Sequence, residues 1–118
     1  MIPLLKPSVS QKEIDYVTET LKSGWWGLGK KTEEFEQKFA EYVGAKYAVA
    51  VNSATTALDL AIKAHDIKKG EIIVPALTFV STALVALYNH CKVVFADIDE
   101  ETLCLDWNDV GKKVTVNT

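Results

Sequence analysis

Arginine is missing from this chain: all thirteen basic residues among its 118 are lysines. Lysine holds a phosphate as a point charge, whereas the planar two-pronged grip on a carboxylate or phosphate belongs to arginine. A site that needs that grip must take it from another chain. Cysteine is nearly missing too. Cys91 and Cys104 are too few for a disulfide framework, which points to a reducing, cytoplasmic setting. Both read most simply as small buried hydrophobes. The two histidines, His65 and His90, have no cysteine or carboxylate at ligand spacing, so no metal site is expected. No apolar run approaches the ~20 residues that span a bilayer. Met1 to Lys6 lacks the basic-then-apolar layout of a secretory signal. The net charge of -3 excludes a broad basic field for nucleic acid. Neither nucleic acid nor a membrane is therefore an expected partner. No Ser–His–Asp or Cys–His arrangement can be assigned.

What is present is the composition of one globular domain, 48% hydrophobic and 25% charged. Residues 1 to 9 read as an extended lead-in, with Pro3 and Pro7 excluding a regular helix. Ser10 and Glu13 form a capping-box pair, and Ile14, Val17 and Leu21 recur behind it at helical spacing. This predicts a helix over 11–22, ended by Ser23-Gly24. A glycine-rich loop with Trp25 and Trp26 follows, its indoles suited either to a subunit contact or to anchoring the loop. A second helix is predicted over 32–43, with Phe35, Phe39, Tyr42 and Val43 on one stripe and Gly44 as its stop.

The rhythm then changes. Tyr47 to Val51 reads as a buried strand, Asn52 to Thr55 as a turn, and 56–65 as a helix with Leu58, Ala61 and Ile62 inward. Ile72 to Val74 is the next strand, 78–89 a helix rich in Ala and Leu, and Val93 to Ala96 a third strand. Lys113 to Val116 has the makings of another. The alternation predicts an α/β domain with right-handed crossovers. One incomplete domain is expected: helical over 1–46, alternating over 47–109, with a tail over 110–118.

In an open α/β sheet, ligands bind beyond the carboxyl ends of the strands. Two loops leave such ends here. At Asn52-Ser53-Ala54-Thr55, small residues lead into a helix start whose free N–H groups attract an anion, and the Ser53 and Thr55 hydroxyls add donors. The plain alternative is that Ser53 or Thr55 merely caps the helix. At Pro75 to Phe79, an aromatic just past a strand end is suited to stacking on a flat heterocycle, or else to filling the core. Asp97 and Asp99 follow the third strand as ligand-orienting groups or as solvated turn carboxylates.

Taken in order, these residues resemble a known family. Ser23-Gly24-Trp25, Phe35-Glu36, Phe39-Ala40, Gly44, Val51 to Leu58, Pro75 to Thr82 and Phe95 to Asp99 are similar to the amino-terminal third of the DegT/DnrJ/EryC1/StrS sugar aminotransferases. The resemblance implies part of the large domain of the type I pyridoxal-phosphate-dependent transferase fold, with three or so strands and flanking helices. It implies pyridoxal phosphate as cofactor and a nucleotide sugar as substrate. Ala54 and Thr55, beside Ser53, correspond to contacts with the cofactor phosphate. Phe79 corresponds to the aromatic that stacks on the pyridine ring. Gly24 and Trp25 correspond to the loop beside the nucleotide sugar. The turn at Gly70-Glu71 departs from the family by one missing Asp.

The family's Schiff-base lysine and pyridine-binding aspartate match no residue here, so the chain alone is expected to be catalytically inactive. Some family members carry a histidine in place of that lysine and dehydrate sugars instead. The strands that in the family lie between 47–51 and the next two are also unmatched, which predicts self-association into a homo-oligomer that covers open sheet edges. The alternative function is a small phosphate-binding or oligomerising module without catalysis.

Overall fold

The computed structural model describes residues 5–118; Met1 to Leu4, and with them Pro3 of the expected lead-in, lie outside the described residues. The described part forms two units, divided between Ala50 and Val51.

The first unit carries helices α1 (Gln11–Ser23) and α2 (Lys30–Val43). The capping box forms as its sequence requires: the Glu13 carboxylate accepts from both the backbone N–H and the hydroxyl of Ser10. The hydroxyl contact in particular holds the Glu13 carboxyl below its ordinary value. Gly24 and Gly44 end the two helices in the left-handed region, at φ 72° and 70°, where a side chain would be strained. The helices are tied by a Lys31–Glu19 ion pair at 2.8 Å, and the Lys31 ammonium also lies 4.1 Å from the centre of the Tyr16 ring. The apolar stripe of α2 holds together locally, with the Phe35 and Phe39 rings 5.8 Å apart. It is not buried: Phe35, Phe39, Tyr42 and Val43 are all exposed, and Ala40 alone in α2 is buried.

The expected strand over Tyr47 to Val51 does not form. A strand exists only through a neighbour's ladder of hydrogen bonds, and this segment finds none among the described residues. It is tied to α2 by the Ala50 N–H, which donates to Glu36 Oε1 at 2.7 Å. Tyr47 and Val49 stand about three-quarters exposed.

The second unit is the α/β part. It runs α3 (Ala54–Ala64), β1 (Glu71–Pro75), α4 (Ser81–Tyr88), β2 (Lys92–Ala96) and α5 (Trp107–Lys113). β1 and β2 pair in parallel, with Val74 opposite Phe95 and Pro75 opposite Ala96. The described sheet therefore has two strands rather than three. A parallel pair needs a crossover, and α4 supplies it while also packing on α3. The core is small and local: Val74, Val85, Ala86, Cys91 and Ala96. Cys91 is buried as expected, but Cys104 is exposed in the turn after β2, where no core reaches it.

Helix α3 also turns differently from the reading of its apolar stripe. Leu58 and Ala61 face outward, while Thr55, Asp59 and Ile62 lie half-buried at i, i+4 and i+7. The reason is a polar tie. The buried amide of Asn89, at the end of α4, donates to Asp59 Oδ1 at 2.7 Å and to the Val85 carbonyl at 2.8 Å. A buried amide must find acceptors, and this pair sets the roll of α3.

The tail is not a strand. The chain coils into α5, capped by Asp106, whose carboxylate accepts from the Asn108 N–H. Beyond it, the Asn117 carbonyl accepts from the Glu71 N–H at 2.8 Å and Thr115 donates to the Glu71 carboxylate at 2.8 Å. The tail thus fastens to the start of β1 through single contacts rather than a ladder.

Candidate functional site

The first candidate loop becomes the amino terminus of α3. The helix begins two residues earlier than its pattern suggests, because Ser53 is its cap. Ser53 has extended backbone, and its Oγ accepts from the Thr56 N–H at 3.1 Å. The cap continues sideways, with Ser53 Oγ 3.0 Å from Thr56 Oγ1, which donates to Asn52 Oδ1 at 2.8 Å. Asn52, named in the candidate turn, and Thr56 are the two members to which the sequence reading gave no role, although an Asn-Ser pair before an apolar helix is itself a cap signal.

This division of labour matters chemically. Ser53 is engaged in holding the helix start. The amides of Ala54 and Thr55 and the Thr55 hydroxyl make no hydrogen bond among the described residues. They are the orphan donors of a helix start, aligned with its positive end. The first turn holds no acidic residue, so no fixed negative charge on it opposes an anion. The nearest carboxylate along the helix, Asp59, is held ionised by hydrogen bonds from Lys63 and then Asn89, which lower its pKa. Two free amides and a hydroxyl at one helix start fit a phosphate group in charge and donor chemistry.

Phe79 lies past the carboxyl end of β1, in the bend that enters α4. Its carbonyl accepts from the Thr82 N–H at 3.0 Å, while Thr78 and Thr82 join hydroxyls at 3.1 Å across the same turn. The helix starts at Ser81 rather than 78 because these contacts close a turn ahead of it. Phe79 is 75% exposed and packs into no core among the described residues. An exposed aromatic at a strand's carboxyl end has the shape to stack on a flat partner.

Gly24 and Trp25 belong to the other unit. Trp25 is fixed at both ends: its N–H donates to Ser23 Oγ at 3.2 Å and its indole Nε1 to the Leu28 carbonyl at 2.7 Å. Trp26 donates in turn to the Leu21 carbonyl at 3.3 Å. The anchoring alternative thus describes both indoles, and Trp25 still leaves 65% of its surface exposed beside a groove of about 550 Å³. Asp97 and Asp99 behave as turn carboxylates. Asp97 accepts from the Ile98 N–H, and Asp99 from the Glu101 and Thr102 N–H groups and the Thr102 hydroxyl. The bonds from Thr102 pull the Asp99 pKa down. No group of metal-ligating side chains occurs among the described residues, and no helix among them is long and apolar enough to cross a membrane.

Comparison with known proteins joins these pieces. The family model described as DegT/DnrJ/EryC1/StrS aminotransferase matches residues 7–118. The chain belongs to that family. It is 49% identical over 118 residues to a spore coat polysaccharide biosynthesis protein of Bacillus subtilis, covering 99% of this chain and 30% of the relative. It is 39% identical to a GDP-perosamine synthase of Escherichia coli O157:H7, over 99% of this chain and 33% of that one. Among solved structures, an E. coli GDP-4-keto-6-deoxy-D-mannose-3-dehydratase with bound hydrated pyridoxal phosphate superposes with a TM-score of 0.91 at 32% identity. That match covers 98% of this chain and 32% of the dehydratase. An aminotransferase from Psychrobacter cryohalolentis gives 0.86 at 35% identity, over 95% of this chain and 29% of its own. The α/β architecture is therefore that of the family's amino-terminal part, and the chain spans about 30% of the length of the relatives it matches.

Proposed function

We propose that these 118 residues form the cofactor-phosphate and substrate-facing part of a pyridoxal-phosphate-dependent nucleotide-sugar enzyme. Ala54, Thr55 and the cap built by Ser53 hold the cofactor phosphate. Phe79 stacks on the pyridine ring, and Gly24 and Trp25 flank the nucleotide sugar. The observation that carries this is the pair of unengaged amides at Ala54 and Thr55, in a chain whose family includes a structure with pyridoxal phosphate bound. When bound, the cofactor supplies an electron sink. This chain's own residues bind and orient it. No lysine or aspartate here matches the family's catalytic pair, so the isolated polypeptide is read as holding the ligand without transaminating. The setting is read as cytoplasmic.

Titration with pyridoxal phosphate tests the reading. A saturable absorbance change that Thr55→Val and Phe79→Ala each weaken at least tenfold is expected; none in the parent chain refutes cofactor binding. Turnover of a keto-sugar nucleotide with glutamate by the purified chain would overthrow the absence of catalysis. A second reading, self-association, is favoured by the apolar side chains left to solvent at Phe39, Tyr42, Tyr47 and Val49. Sedimentation as a monomer at micromolar concentration would remove it.

A further inference from the structure

Gly29 stands at the amino-terminal cap of α2 with φ −166° and ψ −161°. That is extended backbone open to any residue, so conformation does not call for glycine there. Space does. A Cβ at position 29 would sit 2.6 Å from Cδ1 and 2.8 Å from Nε1 of Trp25, closer than real Cβ contacts come. The ring cannot yield freely, because its Nε1 is bonded to the Leu28 carbonyl. The backbone of Gly29 is equally committed, its carbonyl accepting from the Thr32 and Glu33 N–H groups at 2.8 and 3.0 Å. Gly27, two residues earlier in the same loop, has nothing within 4 Å of its own Cβ position. Two glycines in one short loop thus differ in kind.

We propose that Gly29 is a positioning residue for Trp25: the missing side chain is the seat on which the indole lies, and it holds the exposed indole face at the groove lined by Ser23, Leu28 and Thr32. The consequence for ligand binding rests on the reading of Trp25 as part of the nucleotide-sugar site. The seat itself does not. Gly29 acts on ligand through Trp25 and makes no contact of its own.

Two measurements separate the layers. In a Trp26→Phe, Trp107→Phe background Trp25 is the sole tryptophan, and acrylamide quenching reads its accessibility. Trp25 is already 65% exposed, so Gly29→Ala and Gly29→Ser are both expected to raise the quenching constant by up to about 1.5-fold, with Gly27→Ala unchanged. Serine is the decisive comparison, since it restores a good helix cap while still adding a Cβ. Quenching unchanged in both Gly29 variants, or restored by serine, overturns the seat. Calorimetry with GDP-mannose as probe then reads the ligand. Gly29→Ala is expected to raise Kd about tenfold in the parent chain and not at all in a Trp25→Ala background, because the two residues act as one unit. An equal loss in both backgrounds overturns the positioning role. A parent chain that does not bind GDP-mannose overturns the nucleotide-sugar reading of the loop, while quenching still decides the seat.

Discussion

Replacing Ala54 by proline removes one phosphate donor from the proposed site while leaving the helix that carries it intact. Proline is at home at the first position of a helix, where its missing N–H has no intrahelical partner and its fixed φ suits the turn. Ala54 occupies that position. Proline also requires an extended residue before it, and Ser53 already has φ −160° and ψ 155°. The Ser53–Thr56 cap bond does not involve residue 54 and survives. Folding stability should therefore stay level or rise by up to about 1 kcal/mol through a stiffer unfolded chain. The ligand loses one charge-assisted hydrogen bond, worth about 1.5–3 kcal/mol. That corresponds to roughly a tenfold to 150-fold weaker affinity. The assay is a spectrophotometric titration with pyridoxal phosphate, run beside pyridoxal, which lacks the phosphate. Affinity for the first should fall in Ala54→Pro and affinity for the second should not. Unchanged pyridoxal phosphate binding by a variant of normal thermal stability would refute the assignment of this amide. An equal loss for both ligands would place the effect on the ring rather than the phosphate.

Further outcomes follow from the packing of the second unit. Asn89→Ala removes the amide that donates to the half-buried Asp59 carboxylate, while the Val85 carbonyl keeps the Asn89 backbone N–H at 3.2 Å, and thermal or urea unfolding should show a loss of about 1–3 kcal/mol. Gly70→Ala should destabilise by more than about 1 kcal/mol in the same measurement. Its φ is 122°, and a Cβ would meet the Asn117 carbonyl at 2.7 Å. Acid should weaken the fold in a defined window. Glu71 is lowered below its ordinary 4.5, first by its hydrogen bond with Lys92 and then by that with Thr115. A carboxyl lowered by folding adds stability that is complete above its unfolded value and disappears as pH falls through the folded one. Melting temperatures should hold down to about pH 5 and drop below about 4.5, less steeply in Lys92→Met.

Much of this was legible along the chain because it depends on neighbours in sequence. The Ser10–Glu13 box, the glycine stops at 24 and 44, and the apolar runs at β1 and β2 are set by backbone geometry and periodicities of a few residues. The order of motifs from Ser23 to Asp99 sufficed for the family, and with it the expectation of a phosphate-binding turn at 53–55 and an aromatic at 79. Tertiary structure decided what depends on partners. Tyr47 to Val51 has a strand's composition, yet forms none without a ladder beside it. Leu58 has a core residue's composition, yet faces outward because Asn89 draws Asp59 inward. Serine at 53 holds the helix start and leaves the two following amides open, where the sequence had left capping and phosphate contact as alternatives. Gly27 and Gly29 look alike in the sequence and differ only in whether an indole lies over them. Local patterns specify conformations; burial, free donors and steric room are properties of pairs of residues distant in sequence or of atoms in space, and they exist only once the chain has folded.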